Sequence, residues 1–528
     1  MPLRHAPTPE KPGHLSLCAQ VSAAREAGRI TCLKATTFRF HTSLQIHTHL
    51  PNSHTSKYIE LYMNYRSERG LMERGVRVET PPGGFGATLV ATRSFNAGET
   101  VLTDAPMFRL PDDDPPEQLR IAVTEVLGNG PVTLTTARVL QLWLTIDVGQ
   151  RSQMAQTFFA TPDNASMTEF LRQKMSDIQQ RFPELQSSSV EDLTTALQAW
   201  LLTGHATDDE DGWGLYPLGG RANHSCDPNV AFVAGAAPDR LLVYRALRPI
   251  GSGEQICFSY LGHSPDLLMP TELRQKRAKL KKFFECGCAR CNAPLDPASR
   301  GLPCSRPACD GCVTGQGAGW QCSRCGVDVP PPTTAVLQHE EVLVEAALRC
   351  NAPLQSEDLA MLSHDEASWR SHWAWREMEW RVGILTLRGG VEGGKEDALW
   401  EGLAMCSSYF AYVDARGHPR HFVAARAAEV FACLEALAAA GGAAQHRAAA
   451  AAVRECAPFL PALECYYGHD DEHNIRMRAF CSSHCGQCGR DAKSRCSRCR
   501  LVGYCTPDCQ RAAWKEHKKV CIPAAAVE

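Results

Sequence analysis

The chain has 528 residues, long enough for more than one domain, and 44% hydrophobic with 21% charged residues is the ordinary balance of a globular protein with packed cores. A formal net charge of −3 gives no global attraction to nucleic acid or anionic membrane, so such a partner would have to be recruited by a local patch. No window approaches the run of about 18 apolar residues that a membrane span requires, and the N-terminus lacks the apolar centre of a secretory signal. A reducing compartment, cytoplasm and/or nucleus, is therefore expected, in which 25 cysteines with short spacings read as metal ligands and not as disulfides.

Residues 1–57 are His-rich, carry seven Lys/Arg against two Asp/Glu and show no periodicity. The first 75 or so residues read as a disordered tail or a mis-assigned gene start, with Met63 or Met72 as the true first residue, in preference to an organelle transit peptide. From Gly83 to Leu110 short apolar segments are broken by Gly and Asn, which predicts strands and tight turns. A helical stretch follows to about Gly204, with Leu193, Leu197, Trp200 and Leu201 on one core-facing stripe. Strand-like segments return in NVAFVAG, RLLVYRALRPI and GEQICFSYL, so the helices are expected to be an insertion, about 111–210, in one β-rich domain spanning 76–265. After Cys325 the chain is helical again. Val423, Ala427, Val430, Leu434 and Leu437 keep a helical spacing, Gly441-Gly442 makes a turn, and a second helix runs to Pro458, predicting an antiparallel pair.

Three cysteine clusters carry metal-ligand spacing. Cys286, Cys288 and Cys291 offer three thiolates where a structural zinc wants four, so a fourth must come from elsewhere. Cys304, Cys309, Cys312, Cys322 and Cys325 are enough for a zinc ribbon with one to spare, and spacing alone favours the two CxxC pairs, leaving Cys304 over. The last cluster is spaced C-x2-C-x7-C-x2-C-x5-C-x3-C-x7-H-x3-C between Cys485 and Cys521, enough for two closed tetrahedral sites. With every position filled by protein, neither ion could activate a water, so this segment is structural. Its nine Lys/Arg against three Asp/Glu make it locally basic, compatible with nucleic acid, an acidic partner or a merely solvated face.

The last cluster resembles the MYND zinc finger, whose cross-braced pattern implies Cys485, Cys488, Cys505 and Cys509 on one ion and Cys496, Cys499, His517 and Cys521 on the other. That family docks short proline-containing peptides. Upstream, Arg221-Ala-Asn-His-Ser-Cys-Asp-Pro-Asn229, then Gly253-Glu-Gln-Ile-Cys-Phe-Ser-Tyr260, then Phe284-x-Cys286-x-Cys288-x2-Cys291 resemble the SET-domain protein-lysine methyltransferases of the SET-and-MYND branch. Gly86-Ala-Thr-Leu-Val-Ala-Thr-Arg and Asn96-Ala-Gly-Glu99 fit that family's first strand and turn. The resemblance implies an α+β multidomain architecture: a β-rich SET fold with a helical insertion, a post-SET zinc site and zinc ribbon over 266–328, an α-helical (TPR-like) region over 329–480, and a C-terminal MYND finger over 485–521. It makes Cys226 the fourth ligand beside Cys286, Cys288 and Cys291, and it implies Cys304, Cys309, Cys322 and Cys325 in the ribbon, leaving Cys312 over.

The implied activity is methyl transfer from S-adenosylmethionine to a protein lysine, histone or non-histone, with Tyr260 at the meeting of channel and cofactor. By the same resemblance Asn223 and His224 grip the cofactor, Phe284 stacks on its adenine, and the backbone of Gly86 and Ala87 approaches its amino-acid end. Two positions depart from the family: Thr88 replaces a frequent glycine, and Lys282 falls where many active members carry a channel tyrosine. Its long side chain is expected to point to solvent. An interaction scaffold with a vestigial SET fold is the alternative.

Overall fold

The computed structural model describes residues 75–80, 86–158, 165–207, 212–234, 239–262, 266–293, 300–306, 309, 311–316, 319–349, 362, 369–442 and 444–523. Apart from Gly75, the N-terminal extension expected over 1–75 lies outside the described residues. The chain divides into two compact units, one holding residues 297–418 and the other 52–296 together with 419–528.

In the larger unit the strands are short and form several small sheets. β1 (Val76–Glu79) pairs antiparallel with β2 (Thr88–Ala91). β3 (Thr100–Asp104), β9 (Leu242–Ala246) and β8 (Val230–Ala234) form a three-stranded sheet in the order β3-β9-β8, and β4 (Phe108–Arg109), β6 (Trp213–Leu215) and β5 (Gly204–Ala206) another in the order β4-β6-β5. β7 (Asn223–His224) and β10 (Cys257–Phe258) make a two-residue parallel pair. Alternation decides which side chains go inward: Leu242, Tyr244 and Ala246 on β9 are fully buried, beside Val76, Leu89, Phe95, Val101 and Ile256 in one core.

The insertion between β4 and β5 is helical as expected: Glu117–Leu127, Pro131–Thr145, Val148–Phe158, Ala165–Arg181 and Val190–Thr203. These helices have a core of their own, in which Leu193, Leu197 and Trp200 are buried while Leu201 lies at its margin. The last helix starts where Ser189 accepts the Asp192 N–H at 3.0 Å, an N-cap that satisfies one of the free donors of the first turn.

The antiparallel pair is present as Ala424–Ala440 and Gln445–Cys456, with Gly441 and Gly442 both left-handed between them. The next helix, Leu460–Tyr467, lies on β8 and β9, and Tyr466 Oη donates to Phe232 O at 3.1 Å. This contact places 419–483 in the same unit as the strands, so the helical stretch expected as one region over 329–480 is divided at His418. In the smaller unit β11 (Leu302–Pro303), β12 (Cys312–Gln316), β13 (Gly319–Cys322) and β14 (Asp328–Val329) form an antiparallel sheet in chain order. Among the described residues of this unit, the helices Thr334–Leu348, Trp373–Gly393 and Glu396–Ala415 follow, and the buried ring of His372 bridges to Glu340 at 3.2 Å.

The C-terminal cluster is a small domain: β15 (Ser494–Arg495) pairs with β16 (Gly503–Tyr504), and the helix Pro507–Val520 follows, capped by Thr506. It abuts the helix Gln445–Cys456 at Gly489, where φ is +73° and a Cβ would lie 1.8 Å from His446 O, so any side chain there would push the two apart.

Candidate active site

The site is assembled by the parallel pair, which places Cys257 opposite Asn223 and Phe258 opposite His224. Asn229, buried at 2% exposure, locks it in place. Its Oδ1 accepts from Cys257 N at 2.8 Å, and its Nδ2 donates to Gln255 O at 2.8 Å and Glu254 Oε1 at 3.0 Å. From the other side Asp104 Oδ2 accepts from the backbone N–H groups of Leu218 and Gly219, each at 2.8 Å, and so fixes the turn that leads into Asn223.

Tyr260 leaves β10 with its N–H donated to His224 Nδ1 at 3.0 Å and its hydroxyl to Ala222 O at 2.8 Å. Its ring centroid is 4.9 Å from Phe258, 5.4 Å from His224 and 6.0 Å from Phe284. Burial pushes the phenol's pKa well up, so near neutral pH the group is a hydroxyl with its proton committed to Ala222 O and its lone pairs open. Because Nδ1 of His224 accepts, the proton of the neutral ring sits on Nε2, 3.3 Å from Cys226 Sγ. Burial pushes the His224 pKa down to about 4, which keeps it neutral.

Asn223, His224, Tyr260 and Phe284, picked from sequence, thus fall in one place. Gly86, at φ +87°, and Ala87 stand at the start of β2, and the adjoining Thr88 hydroxyl accepts from the side chain of Gln255, two residues before β10. Thr88 is therefore a buried strand residue tied to the same pairing.

Lys282 does not point to solvent. It ends the helix Thr271–Lys282, and Phe283, left-handed at φ 59°, turns the chain so that the lysine faces inward. Its Nζ donates to Leu201 O at 2.8 Å and Leu202 O at 3.3 Å, and it stands 5.7 Å from the centre of the Tyr260 ring. The helix Val190–Thr203 ends there with unpaired carbonyls that attract a donor, which decides the direction. The next carbonyl, Thr203 O, takes Nδ1–H of the buried His205 at 2.9 Å, and His205 Nε2 lies 3.0 Å from the Tyr244 hydroxyl. His205 stacks on Phe258 at 5.1 Å. Burial, then the charge of Lys282, push its pKa down to about 3. Sequence reasoning missed Asn229, His205 and this role for Lys282. Only Asn229 carried a signal, as the last residue of the NHSCDPN run.

Among the described residues, four groups of side chains could each hold a metal ion, with ligand atoms all within 4.8 Å of one another in each group. Cys226 meets Cys286, Cys288 and Cys291 in the first. Its chemistry fits zinc: donors are aimed at sulfur, with Cys226 N 3.5 Å from Cys288 Sγ and Arg274 Nη2 3.6 Å from Cys291 Sγ, as thiolates require. Cys304, Cys309, Cys322 and Cys325 form the second. Cys312 stands apart, its Sγ 3.3 Å from Ser323 Oγ and 3.5 Å from Arg416 Nη2, against the reading from spacing alone. In the C-terminal domain Cys485, Cys488, Cys505 and Cys509 form one group, and Cys496, Cys499, His517 and Cys521 the other. Cys509 and His517 sit on one helix, which ties the two groups together.

Residues 86–261 match the family profile described as SET domain, and residues 485–521 that of the MYND finger. The chain thus carries a match to the SET domain followed by a C-terminal match to the MYND finger.

Parts of the chain have curated relatives. One is "Histone-lysine N-methyltransferase SMYD3" of Mus musculus, 44% identical over 87 residues, 16% of this chain and 19% of the relative. Another is "Histone-lysine N-methyltransferase ASHR1" of Arabidopsis thaliana, 25% identical over 221 residues, 37% of this chain and 44% of the relative. The chain thus spans about a fifth of the first relative's length and less than half of the second's. Among solved structures, the SET domain of LSMT bound to lysine and AdoHcy covers 66% of this chain and 81% of that chain at 12% identity, with a TM-score of 0.28, too low to carry weight.

Proposed function

We propose that this SET-and-MYND protein is an S-adenosylmethionine-dependent protein-lysine N-methyltransferase, acting on histone or non-histone proteins. The observation that carries this reading is the position of Tyr260, packed among Phe258, His224 and Phe284 with its hydroxyl tied to Ala222 O beside Asn223. S-Adenosylmethionine supplies the methyl group of its sulfonium. Asn223, His224 and Phe284, with the backbone of Gly86 and Ala87, would hold it.

Tyr260 then orients the acceptor. Its hydroxyl proton is spent on Ala222 O, so its oxygen presents lone pairs to the acceptor nitrogen and polarised C–H bonds. A lysine ammonium, with an ordinary pKa near 10.4, must lose a proton to become a nucleophile, and the aromatic walls favour the neutral amine. The thiolate group of Cys226, Cys286, Cys288 and Cys291 would hold zinc and fasten the turn bearing Asn223 to the segment bearing Phe284. The MYND finger would dock proline-containing peptides of partner proteins. The reduced thiolates that four such sites need favour cytoplasm or nucleus.

The test is to incubate wild type and Tyr260→Phe with isotope-labelled S-adenosylmethionine and a native protein extract, then locate label by mass spectrometry. The expected result is lysine label with wild type and a loss of at least about tenfold with the variant, on the scale of one oriented polar group. Cofactor binding without any Tyr260-dependent lysine label would favour a scaffold.

A further inference from the structure

The residue that replaces the expected wall of the pocket is itself a base. We infer that the Lys282 amine accepts the proton that the acceptor ammonium must lose, making it a second catalytic residue beside Tyr260. The inference rests on the methyltransferase reading and deepens it.

Geometry supplies the first argument. A neutral amine has two N–H bonds and one lone pair, and Lys282 has two carbonyl partners, Leu201 O and Leu202 O. With both N–H bonds so used, the lone pair is left for the side on which the Tyr260 ring stands, 5.7 Å away. The setting is built: Phe283 holds a left-handed backbone that an aromatic residue rarely adopts, while its side chain packs on the core of the helical insertion. A lysine directed by such a turn onto the end of a helix 80 residues earlier is not a solvated side chain.

Proton affinity agrees. Burial pushes the Lys282 pKa down to about 8, with a smaller push from Lys281, which is itself turned to Asp266 Oδ2 at 2.8 Å. Among the described residues, the groups that face Lys282 from neighbouring elements are His205 on β5 and Tyr260 after β10. His205 stays neutral above about pH 3 and Tyr260 stays a phenol. Between pH 6 and 9, then, Lys282 is the one of these three that changes charge. A base poised near the working pH is the efficient one.

The step balances. The Lys282 Nζ lone pair takes one proton from the acceptor ammonium, whose nitrogen regains its own lone pair and attacks the methyl carbon. Lys282 is left as an ammonium and returns its proton to solvent before the next turnover. The lone pair is required, so the rate should rise with pH through about 8 and level off above it.

The test compares wild type, Lys282→Arg and Lys282→Met. Arginine can still donate to Leu201 O and Leu202 O but holds its proton at every working pH, so it keeps a structural role and lacks a basic one. With labelled S-adenosylmethionine and a core-histone and extract mixture as acceptor, both variants should lose about a hundredfold in rate at pH 7.5 while cofactor binding is unchanged. Only wild type should show the inflection near pH 8. Trace acetylation of the unloaded protein across pH, read peptide by peptide, should give Lys282 a midpoint near 8 while exposed lysines titrate well above. Lys282→Arg at wild-type rate would make the residue structural and overturn the inference alone, as would a Lys282 midpoint above 10 or methyl label found on Lys282 itself. Absence of transfer by wild type would overturn the methyltransferase reading and this inference with it.

Discussion

The two kinds of thiolate site in the larger unit make opposite demands on the chain. The MYND finger draws both of its ligand groups from residues 485–521, whereas the site at the SET domain joins Cys226 to Cys286 across 60 residues. Loss of metal from the first undoes one small domain. Loss from the second is expected to separate the Asn223 turn from the Phe284 segment, and with them the candidate active site. The contrast predicts that the finger is accessory to the proposed activity and that the Cys226 site is integral to the fold that would carry it.

The sharpest break of that comparison is Cys226→Ser. Zinc measured by atomic absorption should fall by one ion from the four that the ligand groups can hold, and thermal unfolding of the SET domain should shift strongly downward. Unchanged melting would mean that the site is peripheral. Next in size is Asn229→Ala, which leaves Cys257 N–H and Gln255 O buried without their partner. A loss of about 2–3 kcal/mol in denaturant unfolding is expected, with zinc content unchanged. The smallest effect belongs to Cys312→Ser, which should retain all its zinc while Cys304→Ser loses one ion. The reverse pattern would restore the two CxxC pairs as the ribbon's ligands.

Much of the site could be read from the chain because its motifs are contiguous. Asn223, His224, Cys226 and Tyr260 sit in short runs whose residue types are specific, and the eight MYND ligands keep a spacing that chance does not supply. The ribbon could not be settled by spacing, since CxxC pairs ignore strand direction. Val313 on β12 lies opposite Cys322 on β13, so Cys312, one residue before it, faces the other side of the sheet. The direction of Lys282 was hidden for a different reason. It depends on a left-handed backbone at Phe283 and on carbonyls 80 and 81 residues away, neither of which local pattern encodes. The division of the helical tail at His418 likewise turns on the seat of Leu460–Tyr467 on β8 and β9.

The most direct measurement is calorimetric titration of S-adenosylmethionine into wild type, Cys226→Ser and Cys488→Ser. Wild type and Cys488→Ser should bind alike, the latter with one zinc fewer, and Cys226→Ser should not bind. Binding that survives Cys226→Ser, or is lost with Cys488→Ser, would contradict the assignment of the catalytic fold to one site and of partner docking to the other.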